Sequence, residues 1–487
     1  MSHQQVAEFP ERTPALNLDV FRTVLHSCAV ADLLRIGYAS RLLRKEAIKE
    51  LLSRPVFLEG NIQIESFCNL MLTGDPSHFS YLHTLVINHI PYITSDATHM
   101  LLEVFNRATG LRKLYLRRCE ALFTKLDRRF AEAIAQLQHL DFLQIWIGTE
   151  SHKYVRPMVL QLRSALKTLD CDVDPLNEFG GYFPDEVAHR QPHLTKLRIC
   201  YPNLRETWKP YLSVRVLSIG IGDQTINLQR LCETFPNVRE LSIQARVFEV
   251  DLANPSGEMI ATRNAAIAFQ NSGGGWKSLD YLYGTVGDLY TLCLTCPVRR
   301  VGVGHYDFLM HDGHRDVFSR TRPRRVDMTI TCTPWFQSPI SANPSLFTYG
   351  MESAEPGAVS HMCLDVAVSE DPVSTRQLIE TITPFLPTCQ LEYLHVSIGM
   401  FFIKEEDDYL HNMLPPVPPS LQESMANIDI AELVSALATS GPTLQTIVLS
   451  PVSRERTVWT VDRGDGRQIL RRLDPYTASQ VVEREEK

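Results

Sequence analysis

An α/β repeat fold follows from two features of the 487-residue chain. A strand-forming phrase returns ten times, and the stretches between its early returns have helical periodicity. A third feature, a leucine-rich helical segment ahead of the first phrase, sets the amino-terminal end apart. The expected architecture is a small three-helix unit, then an irregular solenoid in which a curved parallel sheet carries its helices outside, then a carboxy-terminal capping hairpin. The expected boundaries are a leader over 1–14, the helical unit over 15–58, the repeats over 59–450 and the cap over 451–487.

The helical segment runs from Leu16 to about Leu58. Val20, Val24 and Leu25 recur at helix spacing, then Leu33, Leu34 and Ile36, then Leu42, Leu43, Ala47 and Leu51, and Pro55 closes the run. Asp32 is the expected N-cap of the second helix. Three short helices in so few residues have little interior of their own. They need a neighbour, either the first repeat or a partner.

The phrase is apolar, two variable residues, apolar, one variable residue, apolar. It reads Leu82-His-Thr-Leu85-Val-Ile87, and returns at Leu111, Leu140, Leu166, Leu194, Val214, Val238, Val298, Leu391 and Leu444, with degenerate copies near Leu279, Val326 and Leu364. The first seven starts lie 29, 29, 26, 28, 20 and 24 residues apart. The last half of each phrase alternates apolar and variable residues, as a strand with one buried face requires. Ala97–Phe105, Leu126–Leu137 and Val155–Leu166 supply the returning helices. A single unit cannot bury its own apolar face, so neighbours must stack.

The spacing lapses twice. Asn271-Ser-Gly-Gly-Gly-Trp276 lies in one gap, and the acids Glu405–Asp408 with Leu414-Pro-Pro-Val-Pro-Pro419 lie in the other; both gaps are expected to be exposed loops. Beyond Leu449, Thr457–Val461 and Gln468–Leu473 flank a glycine turn and predict a hairpin, with a closing helix over Pro475–Glu486.

Composition narrows the function classes. Apolar residues make up 44% and charged residues 21%, and the net charge is −8 at a pI near 6.1. That balance argues against a chain that coats nucleic acid or an anionic membrane. The six basic residues between Arg35 and Arg54 are expected to be a solvated helix face. The polar, acid-bearing start lacks the pattern of a secretory signal. No uncharged apolar stretch reaches membrane-spanning length. Eleven cysteines in apolar contexts read as buried thiols of a reducing compartment, the cytoplasm or nucleus.

Catalytic signatures are absent. Cys293-Leu-Thr-Cys296 with His305, His311 and His314 has the donors of a zinc site but no second cysteine pair, so no metal or cofactor is expected. Residues 304–316, rich in histidine and aspartate, are expected to be a polar loop. Gly273-Gly-Gly-Trp-Lys-Ser278 lacks the glycine that precedes the lysine of a phosphate-binding loop. No G-x-S-x-G, H-E-x-x-H or dinucleotide fingerprint occurs, so the chain is not expected to be an enzyme.

The phrase and its period are those of leucine-rich repeats. Ahead of them, Leu16-Asn-Leu-Asp-Val20, Leu25, Ala31-Asp-Leu-Leu34, Ala39-Ser-Arg41 and Leu43-Arg44 resemble the F-box, over about 40 residues from Leu16 to Pro55. One departure is Asn17, where proline is usual. The combination resembles fungal-type F-box proteins with degenerate leucine-rich repeats. That resemblance implies a substrate-recognition subunit of a Skp–cullin–F-box ubiquitin ligase, in which the F-box docks on a Skp-type adaptor, and through it a cullin, while the repeats hold a protein target. By the same resemblance Leu16, Leu18, Val20, Leu25, Leu33 and Leu34, with Ser40 and Arg41 nearby, form the adaptor surface. The alternative is a ligase-independent repeat scaffold that binds protein. In either case the variable strand positions Tyr115, Arg117, Gln144, Trp146, Asp170, Asp172 and Arg198 are the expected target surface. Trp146 is expected either to anchor that surface or to be buried under the long loop at Ser151 to Arg156.

Overall fold

The computed structural model describes residues 18–126, 128–148, 152–173, 192–200, 209–220, 226–244, 255–305, 311–332, 359–368, 373–400, 419–451, 454–464 and 467–486. The chain divides into two compact units, 1–168 and 169–487. The division falls inside the repeats. The three amino-terminal helices belong to the same unit as the first strands.

In the first unit, α1 (Leu18–Ser27), α2 (Val30–Gly37) and α3 (Arg41–Ser53) enclose Leu25, Leu33, Ala47 and Leu52. Polar bonds fix how they meet. Arg22 Nε donates to buried Glu46 at 2.9 Å, joining α1 to α3, and this bond holds the Glu46 carboxyl below its usual pKa. Arg54 donates to the carbonyls of Leu25, His26 and Cys28 at 3.0, 2.7 and 2.7 Å, which satisfies the open end of α1. Ser40 caps α3 by accepting from Leu43 N at 3.2 Å. Asp32 is not the N-cap of α2. Ala29 holds that place with no side-chain bond, and Asp32 sits in the first turn, where its charge still suits the helix dipole.

The unit continues through β1 (Val56–Leu58), α4 (Asn61–Thr73), α5 (His78–Tyr81), β2 (Thr84–Asn88), α6 (Ser95–Arg107), β3 (Lys113–Arg117), α7 (Glu120–Leu126), α8 (Arg128–Ala135), β4 (Phe142–Ile147) and α9 (His152–Gln161). Strands β1 to β4 pair in parallel in chain order. Leu85, Leu114 and Leu143 are partners across them. The sheet starts one strand before the first phrase, because Val56 and Leu58 pair with Leu85 and Ile87. Pro55 ends the helix, and three residues suffice for a parallel edge strand.

Strand β5 (Thr168–Val173) straddles the division. The second unit then carries β6 (Lys196–Cys200), β7 (Val216–Gly220), α10 (Leu228–Thr234), β8 (Glu240–Gln244), α11 (Gly257–Asn271), β9 (Leu279–Gly284), α12 (Val286–Leu292), β10 (Val298–His305), α13 (His311–Thr321), β11 (Arg325–Cys332), β12 (His361–Val368), α14 (Thr375–Ile382), a 3-10 turn (Thr383–Thr388), β13 (Tyr393–Met400), α15 (Pro419–Ala426), α16 (Ile430–Ser440) and β14 (Thr446–Pro451). Strands β6 to β14 are parallel, and the phrase stays in register throughout. Leu197, Leu217, Leu241, Leu282, Val301, Val326, Met362, Leu394 and Ile447 form one row of partners. The degenerate copies near Leu279, Val326 and Leu364 are therefore full strands of the array.

Burial explains the phrase. All three apolar positions of all ten copies are at most 5% exposed. The first position packs the turn before the strand, and the carbonyl after it starts each ladder. His83 O accepts from the N–H groups of Arg112 and Lys113, Arg112 O from Asp141 and Phe142, Arg215 O from Arg239 and Glu240, and Glu392 O from Gln445 and Thr446. Each repeat thus presents one acceptor to two donors of the next, which locks successive phrases without a slip.

Three stretches differ from expectation. The gap before Leu279 holds α11, capped by Ser256 and anchored by buried Arg263, which bonds Asp316 at 2.7 Å and the Tyr290 carbonyl. Residues 311–321 are helix α13 rather than loop, and Asp316 on it takes both Arg263 and Arg320. In the second gap, α15 and α16 fill residues 419–426 and 430–440, while Glu405–Asp408 and Leu414–Pro418 lie outside the described residues. The terminal strands β15 (Thr457–Asp462) and β16 (Ile469–Arg472) run antiparallel, and α17 (Pro475–Glu486) follows.

Candidate functional site

The first candidate surface is the outside of the three amino-terminal helices. Six large apolar side chains are exposed there: Val20, Val24, Val30, Leu34, Tyr38 and Leu42. Thirteen such residues are exposed among the described residues of the whole chain, so nearly half fall within 23 positions. Val20 and Val24 are one helical turn apart on α1. Val30, Leu34 and Tyr38 continue down α2 and its C-cap at the same spacing. These are two stripes that a groove or a partner helix can cover.

The expected adaptor residues separate accordingly. Val20 and Leu34 are about half exposed and lie on the stripes. Leu25 and Leu33 are buried inside the unit, at 1% and 0% exposure, so they build the surface from behind and do not form it. Ser40 acts as the cap of α3, and Arg41 is exposed at that helix's start. Leu18 begins α1, but its side chain falls outside the described residues, as does Leu16. Val24, Val30, Tyr38 and Leu42 complete the exposed set. Their spacing is in the sequence, but which side of each helix faces inward is not.

The second candidate surface is the open face of the sheet in the first unit, where residues alternate with the buried leucines. Register places Phe57, Val86, Tyr115 and Gln144 in one row and Asn88, Arg117 and Trp146 in the next. Four of the expected target residues therefore meet. Arg117 Nε donates to Gln144 Oε1 at 2.6 Å. Its guanidinium lies 4.8 Å from the Trp146 ring and 5.6 Å from Tyr115, and Tyr115 packs on Phe142 at 4.6 Å. Trp146 is half-buried in this stack.

The remaining three belong to the second unit. Asp170 and Arg198 form an ion pair of 3.8 Å on β5 and β6. Asp172 lies in β5, and its side chain falls outside the described residues. Farther along, the open face of the second unit is polar and self-satisfied. Asp327 accepts from Arg325 Nε at 2.8 Å and also bonds Arg300. His395 Nε2 meets Ser450 Oγ at 2.9 Å. Burial raises the Tyr281 hydroxyl to about 12 and raises Asp365. Helix α17 packs on the end of this face, with Ala478 and Val482 against Tyr393, Val448 and Val458. Its Glu485 meets His361 Nε2 at 2.8 Å.

The cysteine–histidine region is packed as core. Cys293 takes a left-handed backbone at the end of α12, and both Cys293 and Cys296 are buried. Burial holds both thiols in the protonated form, Cys296 at about 11. His314 is buried on α13, while the side chains of His305 and His311 fall outside the described residues. Among the described residues no group of three or more histidines, cysteines or acids is placed to hold an ion. Trp276 of the glycine-rich stretch is buried and donates to the Phe235 carbonyl at 2.8 Å, a packing role. No helix among the described residues is long and apolar enough to cross a membrane.

Compared with known proteins, the sequence matches no family model and no curated protein.

Proposed function

We propose that the chain is the substrate-recognition subunit of a Skp–cullin–F-box ubiquitin ligase. The observation that carries this reading is the pair of exposed apolar stripes on α1 and α2, on a helical unit whose own interior is complete. Val20, Val24, Val30, Leu34 and Tyr38 are exposed, and a stripe at helical spacing suits a helical partner. The Skp-type adaptor is that partner, and the cullin follows through it. The sheet then holds a protein target. The chain itself does no chemistry; its effect is to raise the local concentration of the target beside a charged conjugating enzyme. The cytoplasm and nucleus are the compartments in which this works.

Reconstitution tests the proposal. Full-length chain, Skp-type adaptor, cullin with its RING subunit, ubiquitin, activating enzyme and conjugating enzyme are combined, and ubiquitin transfer to proteins captured by the chain is followed. Transfer that needs both chain and adaptor supports it. A folded chain that captures proteins and assembles with no adaptor contradicts it and leaves a ligase-independent scaffold.

A further inference from the structure

The open face of the first unit differs from that of the second in how it treats its cations. Arg300 and Arg325 of the second unit share the carboxylate of Asp327. Among the described residues, Arg117 of the first unit meets only the neutral amide of Gln144 and two aromatic rings. Lys113, on the same strand and the same face, is exposed and has no carboxylate partner among the described residues. No acid stands among the strand residues of this face in β1 to β4, and Glu59, just past β1, accepts from Asn88 Nδ2 at 3.2 Å. Phe57 is exposed beside Val86, and Phe142 and Tyr115 pack at the other side with their rings tilted by 34°.

The Arg117 guanidinium is therefore fixed before anything binds. Its Nε is taken by Gln144, its plane is packed by Trp146 and Tyr115, and its two Nη groups remain as a fork. A fork of this kind fits a carboxylate through two parallel bonds. Rotamer entropy that a free arginine would lose on binding has already been lost here.

We infer that this face binds an extended segment of a protein partner by seating an aspartate or glutamate carboxylate on the Arg117 fork, with an apolar neighbour of that acid against Trp146, Tyr115 and Phe142. The choice of a carboxylate follows from the charge count. Lys113 lies four residues away along the strand, about 13 Å. Arg117 therefore acts alone, which suits a monoanion; a phosphate dianion is matched by clustered arginines. Lys113 stands where a second acid, farther along the segment, would reach. This inference rests on the reading of the repeats as a target-binding surface and names the chemistry of the target.

The test uses the full chain and a pooled library of twelve-residue peptides, randomised except for a fixed central residue: glutamate, glutamine, lysine or phosphoserine. The expected result is enrichment of the glutamate pool over the glutamine and lysine pools by about tenfold or more. Arg117→Gln is expected to remove that preference. Gln144→Glu is expected to remove it too, by placing a carboxylate on the guanidinium while keeping the cation. Two variants of opposite design keep the result independent of any local packing change in one of them. Equal retention of all pools overturns the inference, and so does an Arg117→Gln chain with unchanged preference. Stronger retention of phosphoserine than of glutamate overturns the carboxylate assignment in favour of a phosphopeptide. Adaptor binding by the same variants separates the two claims. Arg117→Gln that still binds adaptor but has lost the acidic preference supports both. A wild type that prefers acidic peptides yet binds no adaptor keeps this inference and removes the ligase.

Discussion

The three amino-terminal helices and the strand repeats use the same residues, leucine and valine, to opposite ends. In the repeats, all three apolar positions of each of the ten phrases are turned inward and buried. In the helices, Leu25 and Leu33 close the interior while Val20, Val24, Val30 and Leu34 face outward. The lesson is that apolar count does not separate a core from a docking surface. What separates them is whether a helix carries more apolar positions than its one inward side can bury.

The sharpest way to break this comparison is at adjacent residues. Leu33→Ala is expected to destabilise the first unit by about 2–5 kcal/mol, the range for a large-to-small change in a packed interior. Leu34→Ala is expected to stay within about 0.5 kcal/mol of the parent, as an exposed site does. Urea unfolding followed by hydrogen exchange over 18–53 reads both. Equal effects at the two sites would erase the distinction between core and stripe.

In the repeats the counterpart is Leu217→Ala, with an expected cost of the same 2–5 kcal/mol, since its row of partners leaves no room to collapse. Arg54→Ala comes next. It strands the carbonyls that close α1, and a loss of about 1–3 kcal/mol is expected, confined to the helical unit. Exchange at α1 that does not quicken in this variant would contradict the capping role.

The smallest effect concerns pH and the far end of the chain. Burial works against the Glu485 carboxylate, but its bonds to His361 and Arg484 prevail and its pKa lies below the ordinary 4.5. A depressed folded-state pKa gives stability that is present above 4.5 and lost as pH falls through the lower folded value. Helix α17 is thus expected to keep its exchange protection at neutral pH and to lose part of it on acidification below 4.5, and Glu485→Gln is expected to flatten that dependence. Protection of α17 that is indifferent to acid in the parent would remove the His361–Glu485 bond from the account.

Sequence periodicity made the strands legible because burial on one face imposes a two-residue alternation that survives substitution. It made α11 and α13 illegible. Glycines flank α11, and α13 is rich in histidine, aspartate and arginine, whose contribution is the internal pair of Arg263 with Asp316. Strand β1 escaped because three residues carry no period. On the candidate surfaces, the residue types were legible and their contacts were not. Arg117 meets Gln144, 27 residues later, only through a register set across α7 and α8, which no local pattern reports. Likewise Leu33 and Leu34 are indistinguishable in sequence, and the packing of α2 on α3 decides between them.

The central claim is that the outward stripes of α1 and α2 dock a Skp-type adaptor. Its most direct test is calorimetric titration of purified adaptor into the full-length chain, beside Val30→Asp/Leu34→Asp, a variant that changes only exposed positions. The account predicts a one-to-one complex with the parent and at least a hundredfold weaker binding by the double variant, about 2.7 kcal/mol or more, with both chains unfolding at the same urea concentration. A folded parent that takes up no adaptor, or a double variant that binds as well as the parent, would contradict it.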